Sequence, residues 1–106
     1  MPYIKELNEI IRDIRERNFQ LTEHAFLRAL ERNLDFDKII DNAESFEIIE
    51  DYPEDKYSHS SLLLCFCDGV PLHLHVTRSR EMKLKVITIY IPDEEKWWDN
   101  FRRRKI

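Results

Sequence analysis

The sequence predicts an α+β domain, with N-terminal helices packed on one face of a four-stranded, mainly antiparallel sheet and a C-terminal helix at an edge. Three observations carry that reading. Apolar residues recur at helical spacing up to about residue 42, and the period turns extended from Phe46 onward. Turn-forming segments then punctuate the extended runs, at Glu50-Asp51-Tyr52-Pro53, at Asp68-Gly69-Val70-Pro71 and at Tyr90-Ile91-Pro92-Asp93.

Pro2 suits a first helical turn, and Ile4, Leu7, Ile11 and Ile14 repeat at helical spacing through about Arg17. Phe19-Gln20-Leu21 reads as a short extended link. Thr22 is a good N-cap for a helix from Glu23 to Arg32 whose apolar stripe is Phe26, Leu27 and Leu30, and Asn33 ends it. Asp35 caps a third helix through Asn42, with Phe36, Ile39 and Ile40 facing inward.

Phe46 to Glu50 is the first strand, and the polar run Asp51 to Ser60 is a wide turn. Ser61 to Cys67 is apolar on both faces and reads as a central strand, joined by a tight hairpin to Leu72 through Thr77. A charged turn leads to a last strand from Leu84 to Ile91, stopped by Pro92. Asp93 is then placed to cap a terminal helix carrying Trp97, Trp98 and Phe101.

A chain of 106 residues supports one domain. Hydrophobic residues at 42% with a single glycine argue against disorder. The longest apolar run, around Leu62 to Phe66, is too short for a signal peptide or a membrane span, so a cytoplasmic protein is expected. Cys65 and Cys67 are two apart on one strand, which points both side chains the same way and disfavours a mutual disulfide. The net charge of −4 is uneven: residues 1–56 hold 8 basic against 15 acidic residues, residues 57–106 hold 9 against 6, and the chain nears its end with Arg102-Arg103-Arg104-Lys105. Such asymmetry marks a nucleic-acid surface, a basic segment for an acidic partner, or a solvated basic last turn that a helix macrodipole favours.

His24, Arg28 and Arg32 fall one helical turn apart and can share a face, as a phosphate-binding row or as local packing and pairing with Glu23 and Glu31. His73 and His75 alternate on one strand and project together opposite Leu72, Leu74 and Val76. Imidazole near neutral pH can take a proton from an attacking hydroxyl or give one to a leaving oxygen, the requirement of metal-free RNA cleavage. Tyr90 on the neighbouring strand could donate to a phosphate or stack on a base. Two thiols and two imidazoles across one hairpin invite a zinc site, but an even-length turn sends them to opposite faces, so no metal is expected.

Thr22-x-His24-Ala25 with Arg28 and Arg32, Ile49-Glu50-Asp51-Tyr52-Pro53-x-Asp55, Leu62-Leu63-Leu64, Pro71-Leu72-His73 and Ile87-Thr88-Ile89-Tyr90-x-Pro92-Asp93-x-x-Lys96-Trp97 together resemble the family labelled domain of unknown function 4258. The likeness covers about Leu21 to Arg104, and it departs from the family pattern at His59, where proline is usual, and at Cys65, where glycine is usual. The resemblance implies a small toxin domain with a RelE-like fold, similar to the RelE, BrnT and MqsR ribonuclease toxins, partnered by a small antitoxin resembling the MqsA-type zinc-finger proteins. It implies a site at His24, Arg28, Asp51, Tyr52, His73 and Tyr90.

The function expected is thus the toxin of a type II toxin–antitoxin pair, a metal-independent endoribonuclease acting on mRNA without a cofactor. His73 or His24 serves as base, the other or Tyr90 as acid, and Arg28 with Lys56 or Arg78 stabilises the phosphorane. Arg32, Asp51 and Tyr52 join Lys56 and Arg78 in holding RNA, and Trp97, Trp98, Arg102, Arg103 and Arg104 face the antitoxin. The alternative is a non-enzymatic module binding protein or RNA through the same face. No Gly-rich phosphate loop, nucleophile elbow or metalloprotease motif is present, which sets those hydrolase classes aside.

Overall fold

The computed structural model of the chain describes residues 4–56 and 58–106. Helix α1 covers Leu7–Arg15, strand β1 Phe19–Leu21, helix α2 Glu23–Glu31 and helix α3 Phe36–Asp41, with a 3-10 turn at Ala43–Ser45. Then come β2 Glu47–Tyr52, β3 Ser60–Cys67, β4 Val70–Thr77 and β5 Leu84–Tyr90, a 3-10 turn at Glu94–Lys96, and a small hairpin of β6 Trp97–Trp98 and β7 Arg103–Arg104. The main sheet has the order β1-β5-β4-β3-β2; β1 runs parallel to β5 and the other neighbours are antiparallel. The chain is therefore α+β, with helices ahead of a mixed sheet.

The sheet has five strands rather than the expected four. Phe19-Gln20-Leu21 pairs with Leu84-Lys85-Val86, placing Phe19 and Leu21 against the core and leaving Gln20 exposed. Three residues carry too little periodicity to announce a strand. The expected C-terminal helix is replaced by a 3-10 turn and the β6–β7 hairpin. The Asp93 carboxylate accepts from the Glu95 N–H at 2.9 Å, but the next residues extend, and Asp99, Asn100 and Phe101 all take positive φ to reverse the chain. Tryptophan favours extended backbone and Asp-Asn favours left-handed turns, so local chemistry here suits a hairpin.

Helix α1 is shorter than its apolar repeat suggests: Ile4 forms an isolated bridge to Ser79 instead, and Pro2 lies outside the described residues. Helix α2 begins as expected, with the Thr22 hydroxyl accepting from the Ala25 N–H at 3.0 Å, and ends at Asn33 with φ 53°. Its buried face differs. Ala25 and Ala29 pack inward, while Phe26, Leu27 and Leu30 stay 49%, 47% and 58% exposed. Small residues let the helix sit close over β5, and the larger side chains flank that contact. The β3–β4 turn is also tighter than expected: Cys67 pairs with Val70 across Asp68-Gly69 alone, both at positive φ, so β4 begins at Val70.

Register sorts the sheet into two faces. Leu63, Cys65, Cys67, Leu72, Leu74, Val76 and Ile89 join Ile10, Ile14, Ala25 and Ile39 in the helix-side core. Leu62, Leu64, His73, His75, Thr88 and Tyr90 point the other way. A bulge at Ile87 in β5 keeps Val86 and Ile89 on the core side while Thr88 and Tyr90 face outward, and a second at Ile49 in β2 keeps Glu50 with Leu62. Among the described residues no α-helix lies on the outward face.

Candidate functional site

The outward face is divided by the C-terminal hairpin. At one end the hairpin covers His73: the Trp97 ring stands edge-on at 4.4 Å, and the Phe101 carbonyl lies 2.9 Å from His73 Nε2. A carbonyl can only accept, so Nε2 carries the proton, and Nδ1 accepts from the Tyr90 hydroxyl at 3.1 Å. His73 is 0% exposed, and burial depresses its pKa against the opposing pull of the Phe101 carbonyl. Two ion pairs hold the hairpin down, Arg102 to Glu47 at 3.0 and 2.7 Å and Arg104 to Glu50 at 3.2 and 2.9 Å, and the Arg104 guanidinium lies 4.7 Å over Trp97.

At the other end an open groove of about 740 Å³ remains, lined by Tyr52, Asp55, Leu62, His75, Thr88, Tyr90 and Arg104 among others. His75 is held by one nitrogen. Its Nε2 lies 3.0 Å from Asp55 Oδ2 and 2.7 Å from Ser60 Oγ, and the Ser60 hydroxyl donates to the same carboxylate at 2.5 Å. The Nε2–H therefore faces an acceptor, and Nδ1 has no partner among the described residues. The Tyr52 ring stands edge-on at 5.3 Å. Burial lowers the His75 pKa and the Asp55 charge opposes it, with burial the stronger. In the neutral ring the Nδ1 lone pair has no competing partner among the described residues.

The other ionisable groups of the groove are tuned by contact. Burial would raise Glu50, but hydrogen bonds from Arg104 and from the Tyr52 hydroxyl hold its carboxyl below the usual range. Tyr52 is pushed up by burial and by that carboxylate, and Tyr90 by burial. Asp51, Glu54 and Asp55 also line the groove, yet Asp51 and Asp55 are already engaged by cations or hydrogen bonds.

Several residues expected at one site are apart. His24, Arg28 and Arg32 lie exposed on α2, which packs on the helix-side face, so the sheet separates them from His73 and His75; Arg28 pairs with Glu31 at 2.7 Å. Arg78 is buried: its Nε donates to the Lys5 carbonyl at 3.0 Å and its Nη1 to Asp51 at 2.9 Å, tying the strand end to the N-terminal segment. Asp51 also accepts from Ser61 at 2.6 Å and lies 2.9 Å from His59 Nε2, bonds that outweigh its burial and hold its pKa down. His59, where the resemblance anticipates proline, thus supports the turn through Asp51. Lys56 is exposed and does not line the groove.

The hairpin residues expected to face a partner are largely occupied within the chain. Trp97 is buried over His73, and Arg102 and Arg104 pair with Glu47 and Glu50. Trp98 and Arg103 are exposed, and Lys105 sits 4.0 Å over the Trp98 ring. Of the expected residues the structure gathers Asp51, Tyr52, Tyr90 and Arg104 at the groove, and it adds His75, Asp55 and Ser60. His75 was visible in the alternation with His73; the Asp55 partnership was not, because 20 residues and a loop separate the two.

The turn register puts the thiols on the helix-side face and the imidazoles on the outward face, as parity requires. Among the described residues no helix is long and apolar enough to cross a membrane.

The model of the family described as "Domain of unknown function (DUF4258)" matches residues 21–91. The chain belongs to this family. The match starts at the last residue of β1, takes in α2 through β5 and all of the groove except Arg104, and stops before the C-terminal hairpin. No curated protein and no solved structure matches the chain.

Proposed function

We propose that this DUF4258 protein is a metal-independent endoribonuclease, the toxin of a toxin–antitoxin pair, and that its catalytic base is His75 rather than His73. The observation that carries this is the His75 environment: one nitrogen tied to Asp55 and Ser60, the other without a partner among the described residues, on the wall of a groove that also holds Tyr90 and Arg104. His75 Nδ1 takes the proton of a ribose 2′-hydroxyl, which attacks the adjacent phosphorus. Asp55 fixes the ring and stabilises the imidazolium that forms. Arg104 neutralises charge growing on the phosphorane. The Tyr90 hydroxyl breaks its hydrogen bond to His73 Nδ1 and turns its proton to the departing 5′-oxygen; an alkoxide is far more basic than a phenolate, so a phenol with a raised pKa still donates downhill.

The second reading is a module that binds without cleaving, favoured by the acidic residues Asp51, Glu54 and Asp55 around the groove. Incubating the purified protein with single-stranded RNA in the presence of a chelator separates the two. Cleavage that falls about a hundredfold or more in His75→Ala supports the enzyme. Intact RNA across varied sequences supports the binding module.

A further inference from the structure

On the opposite face of the sheet from the groove, Cys65 and Cys67 project together from β3 with their sulfurs 3.7 Å apart. Both thiols are free, and neither takes part in the proposed cleavage. The last turn of α3 lies against them: the Asn42 carbonyl is 3.8 Å from Cys65 Sγ and the Lys38 carbonyl 3.9 Å from Cys67 Sγ. Cys67 also lines a second groove of about 380 Å³, together with Lys38, Asp68, Val70 and Ile91, so the pair is reached from solvent through Cys67.

Two chemistries are open to such a pair, and distance decides between them. Residues i and i+2 of a strand have Cα atoms roughly 6.6 to 6.8 Å apart, the upper limit of what a disulfide spans, so oxidation would distort the β3 ladder at its pairings with Leu72 and Val70. Two thiolates on one tetrahedral ion, with metal–sulfur bonds of about 2.3 Å, stand about 3.8 Å apart. The observed separation already matches that bite. We propose that Cys65 and Cys67 form a two-thiolate binding site for a single thiophilic d10 dication of the zinc or cadmium class, entered through the groove beside Cys67. This is unlike a closed four-ligand zinc site, because the imidazoles lie across the sheet and only Cys67 of the pair lines the groove.

The surroundings suit a cation. The carbonyls of the last α3 turn present the negative end of its peptide dipoles. Hydrogen bonds from Cys67 and Ser45 lower the Cys65 pKa against its burial, while Cys67 is held up by its bond to Cys65 and by burial. A divalent ion replaces both thiol protons, forming two metal–sulfur bonds and releasing two protons, and the product of dication and two thiolates is neutral in a buried setting.

The test is titration of the reduced protein with cadmium chloride, following thiolate-to-cadmium charge-transfer absorption and proton release. One cadmium per chain, two protons released, and an affinity reduced roughly a hundredfold in each of Cys65→Ser and Cys67→Ser are expected. Protection of both thiols of the wild-type protein from alkylation by one equivalent of cadmium supplies a readout that does not depend on the variants folding. Absence of the absorption band, unprotected thiols, or serine variants that bind as tightly as wild type overturns the proposal.

Discussion

His73 and His75 sit two residues apart on β4 and point from the same face, yet one is a sealed structural group and the other a groove wall. His73 has both nitrogens engaged, by the Phe101 carbonyl and the Tyr90 hydroxyl, under a tryptophan. His75 has one nitrogen engaged and one without a partner among the described residues. Residue type, strand and face are identical. What differs is which of them the C-terminal hairpin covers, so the availability of a side chain for chemistry is decided by a third element arriving from 20 or more residues away.

The largest effect expected from this contrast is on cleavage: His75→Ala should lose about a hundredfold or more with a melting temperature near wild type. A His75→Ala protein that cuts at the wild-type rate would break the comparison on its functional side. Next, His73→Ala should cost about 2 to 4 kcal/mol of stability in a denaturant titration, since it opens a cavity under Trp97 and strands the Phe101 carbonyl and the Tyr90 hydroxyl. If its midpoint is unchanged, His73 does not anchor the hairpin.

Acid sharpens the comparison further. Both histidines have folded-state pKa values below the ordinary 6.5, so the unfolded chain binds more protons as the pH falls below that value. Stability should be flat just above neutrality and fall as the pH drops below about 6.5, with a slope of at most about 1.4 kcal/mol per pH unit per histidine. The carboxylates Glu47, Glu50 and Asp51, whose pKa values are lowered, withdraw their contribution in a separate, lower window. A His73→Gln protein should lose part of the upper slope. An unaltered profile would mean that His73 is not the titrating group.

The smallest effects belong to the surface. Arg102→Ala removes a half-exposed pair with Glu47 and should lower the melting temperature only slightly, and Arg28→Ala on α2 should lower it less still, with no change in cleavage. A large loss of cleavage in Arg28→Ala would return the α2 row to the site.

Much of the fold was legible from local signals. The Thr22 and Asp35 caps, the left-handed Asn33, the Asp68-Gly69 turn and the alternation in β3 to β5 are each written in a few neighbouring residues. Strand parity alone placed the two thiols and the two imidazoles on opposite faces. What failed were inferences that needed a partner element. Phe26, Leu27 and Leu30 looked like the buried stripe of α2, but closeness to β5 selected Ala25 and Ala29 instead. The tail read as a helix presenting cations, yet its arginines answer Glu47 and Glu50, carboxylates some 55 residues earlier.

The sequence by itself determined the class of fold, the hairpin turn, the pairing of residues on strand faces and the membership of the DUF4258 family, because helical period, strand alternation and turn chemistry act over a few residues. Only the tertiary structure decided that β1 joins the sheet, that the C-terminal hairpin closes over His73, and that Asp55 and Ser60 meet His75. Those outcomes depend on contacts between segments far apart in the chain, where burial and hydrogen-bond satisfaction are settled by the packing of whole elements rather than by neighbouring residues.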